Sequence, residues 1–117
     1  MGTTYSNLTK IYIDKKDVKQ AKEYLDICIA LSDDHESAVY NDYLLAKICV
    51  LEGNNSFALQ LYENIFITEE INSMTLSMMN EYLSLLNELK KYNKSLLLMN
   101  KLSIFVNASV NLFNVEI

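Results

Sequence analysis

The sequence predicts an all-α fold made of stacked helix pairs, and three observations carry that expectation. The 117 residues contain no proline and two glycines, Gly2 and Gly53, far fewer breakers than a strand-rich domain with many turns uses. Half of the residues are hydrophobic, and apolar side chains recur at helical spacing of three and four along nearly the whole chain. Small residues return at one fixed interval: Ala21, Ala58 and Ser95 stand 37 residues apart. A period in that range points to repeated supersecondary units.

The elements follow in order. Tyr5, Leu8, Ile11 and Tyr12 form the stripe of a first helix running from about 3 to 15. Asp17, with Gln20 three residues on, predicts the N-cap of a second helix whose inner face is Ala21, Tyr24, Leu25, Cys28 and Leu31. Ser32 to Glu36 is a break, with Asp33 or Asp34 as the next cap. The third helix, about 36 to 52, carries Tyr40, Leu44, Leu45, Ile48, Cys49 and Leu51. Gly53 ends it, because glycine takes the left-handed conformation of a helix C-terminus without steric cost, and Asn54 caps a fourth helix presenting Ala58, Leu61, Tyr62 and Ile65. Thr68-Glu69-Glu70 is the second long break. A fifth helix offers Met74, Met78, Met79, Tyr82, Leu83, Leu86 and Leu89; after a turn at Lys90 to Asn93, a sixth carries Ser95, Leu98, Met99, Leu102 and Phe105. The expectation is therefore one domain, 1–117, of about six helices and a C-terminal segment, in repeats of about 2–35, 36–72 and 73–109.

The small residues have a packing reason. Each falls in the first turn of a second helix and faces the first helix across a short connection, where a large side chain would wedge the pair open. One pair cannot bury its apolar stripe alone, so stacking on the next pair completes the burial.

Composition narrows the function. The net charge is −5, and all ten basic residues are lysine. Without arginine the chain lacks the bidentate fork suited to phosphate and guanine, so nucleic-acid binding by this segment is not expected. Cys28 and Cys49 form no C-x-x-C pair, and with His35 the lone histidine no conventional zinc site can be built. Neither a metal nor a cofactor is predicted. His35 has acidic neighbours but no matched nucleophile, so no catalytic set is predicted. Asp33-Asp34 and Glu69-Glu70 read as helix-capping pairs, and the Met74, Met78 and Met79 cluster as core. No apolar run reaches membrane-spanning length and the first residues do not read as a signal peptide, which favours a cytoplasmic location and no membrane contact.

Set in register, the three units align without gaps: Leu8, Leu45 and Tyr82; Thr9, Ala46 and Leu83; Tyr12, Cys49 and Leu86; Leu25, Tyr62 and Met99; Cys28, Ile65 and Leu102. This pattern resembles the tetratricopeptide repeat family, whose unit places Leu and a small residue in the first helix, Gly at the turn, and Ala early in the second. Leu45, Ala46, Gly53, Ala58 and Tyr62 are the fullest copy. The family's late proline is missing, and each unit is three residues longer. The resemblance implies a right-handed superhelical α-solenoid and a non-enzymatic module that binds a protein or peptide on its concave face. It also implies similarity to the interaction part of a larger bacterial regulator. The family's concave positions map here to Ser6, Lys10 and Ile13, to Tyr43, Lys47 and Val50, and to Asn80, Ser84 and Asn87. Lys10 and Lys47 share one place a repeat apart and are expected to stack as a short basic ladder able to hold a peptide carboxylate. After Phe105 the chain stays apolar through Val110, Leu112 and Phe113. Those residues suggest a second reading, a structural segment that forms a homodimer through this tail.

Overall fold

Helices are formed where the apolar periodicity places them. A computed structural model describes residues 3–69, 73–91, 93–101 and 104 of the chain. Among these residues the structure is all-helical and contains no strand. The helices are α1 (Thr3–Asp14), α2 (Val18–Leu31), α3 (His35–Leu51), α4 (Asn55–Thr68), α5 (Ser73–Glu88) and α6 (93–101). His35 begins α3 and does not belong to the preceding loop.

The caps are those that the side chains allow. Asp17 Oδ1 accepts from the Gln20 amide at 3.2 Å, Asp34 Oδ1 from Ser37 at 2.6 Å, and Asn54 Oδ1 from Phe57 at 3.4 Å. Asp34 is thus the cap of α3, and its carboxyl is held below the ordinary carboxylate value, chiefly by the Ser37 N–H it accepts.

The short turns repeat the sequence period in their backbone. Among the described residues Lys16, Gly53 and Lys90 have positive φ, at 61°, 80° and 61°. At each, the amide of the left-handed residue donates three residues back: Lys16 to Ile13 at 2.9 Å, Gly53 to Val50 at 3.1 Å, Lys90 to Asn87 at 3.0 Å. The next amide donates five back: Asp17 to Tyr12 at 2.9 Å, Asn54 to Cys49 at 2.8 Å, Lys91 to Leu86 at 2.8 Å. This bond pair is the Schellman closure of a helix C-terminus. Lys16 and Lys90 therefore take the place of Gly53 at their turns. Ala21, Ala58 and Ser95 follow five residues after each left-handed residue, and all three are buried.

The chain divides into two units, Met1–Thr68 and Glu69–Ile117. In the first, α1 packs on α2 and α3 on α4, while α3 also packs on α2 and on α1. Ser6, near the start of α1, lies 3.7 Å (Oγ to Sγ) from Cys28 near the end of α2, and Tyr12 stacks on Tyr24 at 5.5 Å. With three neighbours, α3 is buried on most sides, through Val39, Asn41, Tyr43, Leu44, Ala46, Ile48 and Cys49. The single stripe expected for it is too narrow. Its buried amide is satisfied: Asn41 Nδ2 donates to the Cys28 carbonyl at 3.4 Å.

Helix α1 also departs from its expected stripe. Ile11 is exposed, and Thr9 and Ile13 are buried instead, because contacts with both α2 and α3 turn the buried arc toward α3. Leu31, at the last turn of α2, is exposed too. In the second unit Met78, Met79, Tyr82, Leu85 and Leu86 of α5 are buried with Ser95 and Leu98 of α6, whereas Met99 is exposed. The side chain of Met74 and the residues Leu102 and Phe105 lie outside the described structure.

Candidate functional site

Helix α3 builds the candidate site by spacing alone. Tyr40 and Tyr43 stand one turn apart on its surface, and Lys47 follows Tyr43 by one turn, so their side chains meet along one line of the helix. The two rings lie 5.7 Å apart and tilted by 52°. Lys47 Nζ stands 5.4 Å from the centre of the Tyr43 ring. From α1, Lys10 Nζ reaches the Tyr40 ring at 6.0 Å. Lys10, Tyr40, Tyr43 and Lys47 thus form a strip crossing from α1 to α3, with an ammonium over a ring face at each end. The ring quadrupole attracts the cation and restrains a long side chain that would otherwise be free to rotate. Tyr43 also packs edge-on against Tyr62 of α4 at 6.4 Å, which anchors the strip in the core.

The expected positions differ in exposure and in the helix that carries them. Lys10 is exposed, and Lys47 and Val50 are half-buried, on α1 and α3. Tyr43 and Ile13 are buried, which corrects the expectation that they line an open face: Tyr43 is enclosed by Tyr40, Tyr62 and Lys47, and Ile13 belongs to the buried arc of α1. Ser6 is half-buried beside Cys28. In the second unit Asn80, Ser84 and Asn87 are exposed along α5, and Asn87 Oδ1 accepts from Ser95 Oγ at 2.8 Å, tying the end of α5 to the start of α6. Val110, Leu112 and Phe113 lie outside the described residues. Tyr40 is the member that a reading of the sequence misses, because its place on the third helix looks like core; its spacing of three from Tyr43 was the available signal.

A second aromatic group lies between α1 and α2. Tyr24 stacks on Tyr12 at 5.5 Å and on Tyr5 at 6.4 Å, with Lys15 Nζ 5.5 Å from the Tyr12 ring. Farther along, Lys22 pairs with Glu52 at 2.6 Å, a bond that raises the Lys22 pKa, and burial pushes the Cys49 thiol up. A thiol shifted that way is a packing group rather than an activated nucleophile. Among the described residues no group of three His, Cys, Asp or Glu side chains could hold a metal ion, and no helix is long and apolar enough to cross a membrane.

No protein-family model, curated protein or solved structure matches this chain.

Proposed function

We propose that the chain is a tetratricopeptide-like α-solenoid that works without catalysis, binding an extended, carboxylate-bearing segment of a protein or peptide across its first helices. The strip Lys10–Tyr40–Tyr43–Lys47 carries this reading: two aromatic-braced ammonium groups on neighbouring helices of a chain whose net charge is −5. Three turns of the same backbone geometry, each followed by a buried small residue, support a stack of antiparallel pairs. So does the pairing of the start of α1 with the end of α2. In such a stack Lys10 and Lys47 stand on successive first helices, where a peptide running across them meets both. Tyr43 acts as the wall that braces Lys47 rather than as an open contact.

The test is a fluorescence-anisotropy titration with a labelled Glu- and Phe-rich octapeptide, in wild type and in Lys10→Glu and Lys47→Glu. Charge reversal at either lysine should weaken binding by roughly tenfold, the effect of about 1.4 kcal/mol, and binding should weaken with added salt. Lys15→Glu, whose lysine is braced on Tyr12 in the other aromatic group, should change little. Equal affinity in all four proteins would refute the assignment of the site.

A further inference from the structure

Asn41, Leu45, Ile48 and Glu52 follow one another along a single side of α3, at the spacing that places residues on one helix face. Helix α2 covers that line. Asn41 Nδ2 donates to the Cys28 carbonyl at 3.4 Å, Lys22 pairs with Glu52 at 2.6 Å, and Ile48 between them is 0% exposed. On α5 the same places hold Met78, Tyr82, Leu85 and Leu89; the first three are buried and Leu89 is half-buried. On α1 they hold Thr4, Leu8, Ile11 and Lys15. Here Ile11 is 46% exposed, Thr4 and Lys15 are exposed, and Leu8 is half-buried. The line that the other two first helices bury is open on α1.

The open line carries the chemistry of a contact. Tyr12 follows Leu8 by one turn and stacks on Tyr24, which gives the Leu8–Ile11 patch an aromatic border. Lys15 Nζ is held 5.5 Å from the centre of the Tyr12 ring, so its charge is restrained beside that patch. The two ends match those of α3 with one sign reversed. Thr4 offers a hydroxyl donor where Asn41 offers an amide, and Lys15 a cation where Glu52 offers an anion. Helix α2 crosses α3 in the opposite direction, since Cys28 meets the start of α3 and Lys22 its end. A helix crossing α1 in the same way brings one of its early residues to Lys15. An acid at that place pairs with Lys15 and also suits the positive end of its own helix dipole. The second helices of this chain have Lys22, Leu59 and Leu96 there, none of them acidic, so a second copy is not the match.

We propose that the line Thr4–Leu8–Ile11–Lys15 receives an amphipathic helix of another protein. That helix runs antiparallel to α1, lays apolar side chains over Leu8 and Ile11, and sets an Asp or Glu from its early turns beside Lys15. Thr4 donates to a carbonyl near its C-terminal end. This contact is separate from the Lys10–Tyr40–Tyr43–Lys47 strip and does not depend on it.

The probe is a synthetic peptide of residues 17–32, the helix that fits the equivalent line on α3, made with Lys22→Glu to supply the acid. The unaltered peptide is the comparison, and amide chemical shifts of the full chain are followed by NMR as each is added. The Lys22→Glu peptide should shift the amides of Thr4, Leu8, Ile11 and Lys15 saturably, and bind roughly tenfold tighter than the unaltered one. Ile11→Asp and Lys15→Glu in the protein should each weaken binding by about tenfold, while Lys19→Glu, at an exposed lysine of α2 outside the line, should not change it. Circular dichroism checks that each variant is folded. Shifts centred on α3 or on Tyr40, no saturable shift with either peptide, or equal affinity of wild type and Ile11→Asp would overturn the docking. Equal binding of the two peptides would overturn the acidic match. A wild-type dimer in sedimentation velocity that Ile11→Asp dissociates would also overturn the proposal, since a second copy would then hold the face.

Discussion

Lys16→Gly should stabilise the protein, and Lys15→Gly, one residue earlier, should destabilise it. Lys16 has φ 61°, whereas Lys15 is still on the helical side, its amide donating to Ile11 at 3.0 Å. An L-residue in the left-handed region carries about 1–2 kcal/mol of strain that glycine lacks. Glycine gives back part of that gain, about 0.5–1 kcal/mol, through the extra freedom of its unfolded chain. The net expectation for Lys16→Gly is about 0.5–1 kcal/mol of added stability. Lys15→Gly relieves no strain, so only the unfavourable part remains, about 0.5–1 kcal/mol lost. Gly53 provides the mirror case. A Cβ built there meets nothing within 4 Å, so Gly53→Ala adds no clash. Its cost is the strain at φ 80° alone, offset partly by the stiffer unfolded chain. Urea denaturation followed by circular dichroism reads all three. At the slopes usual for small proteins, 1 kcal/mol moves the midpoint by roughly 0.3–1 M while the slope stays constant. A midpoint for Lys16→Gly at or below wild type, with Lys15→Gly falling as expected, would refute the strain argument for this turn.

Two further outcomes follow from the packing and the caps. Ala58 is fully buried in the first turn of α4, the helix that packs on α3, so Ala58→Leu should cost about 1–3 kcal/mol by overpacking, against about 0.5 kcal/mol or less for a change at exposed His35; thermal melts of the two variants check the ratio. The folded-state pKa of Asp34 is depressed, so its stabilising contribution is full above the ordinary carboxylate value near 3.8 and is lost as pH falls through the lower folded value; Asp34→Asn keeps a capping oxygen without that titration, and its urea midpoint should fall less than wild type between pH 5 and pH 2.

The helices and their caps were legible because local chemistry decides them. Asp17, Asp34 and Asn54 cap in the structure for the same reason that they signal a start in the sequence: a short side-chain oxygen reaches an amide three residues on. The small residues were legible for a steric reason, and all three are buried. What periodicity could not supply was the number of neighbours each helix has. Helix α3 touches α1, α2 and α4, so residues around most of its circumference are enclosed, and Tyr43 passed from expected ligand contact to buried wall. Ile11 and Ile13 exchanged roles on α1 because a helix with two neighbours buries an arc between them, and a single-stripe reading chooses the centre of that arc wrongly. The lysine at a left-handed turn was hidden as well. Only the fixed interval to Gly53 marks Lys16 and Lys90, since their residue type argues against that conformation.

Helices of similar apolar pattern could in principle exchange places while a chain folds, and a buried polar group raises the cost of the wrong placement. Asn41 distinguishes one of them. Its amide is buried and reaches the Cys28 carbonyl, while the corresponding residues of the other first helices are Thr4 and Met78, neither of which carries an amide. A swapped or slipped α3 would leave that amide without its acceptor in an apolar setting, at a cost of about 1–3 kcal/mol. A correct placement bears no such penalty. The Asn41 amide thus ties the placement of α3 on α2 to one polar contact as well as to apolar packing.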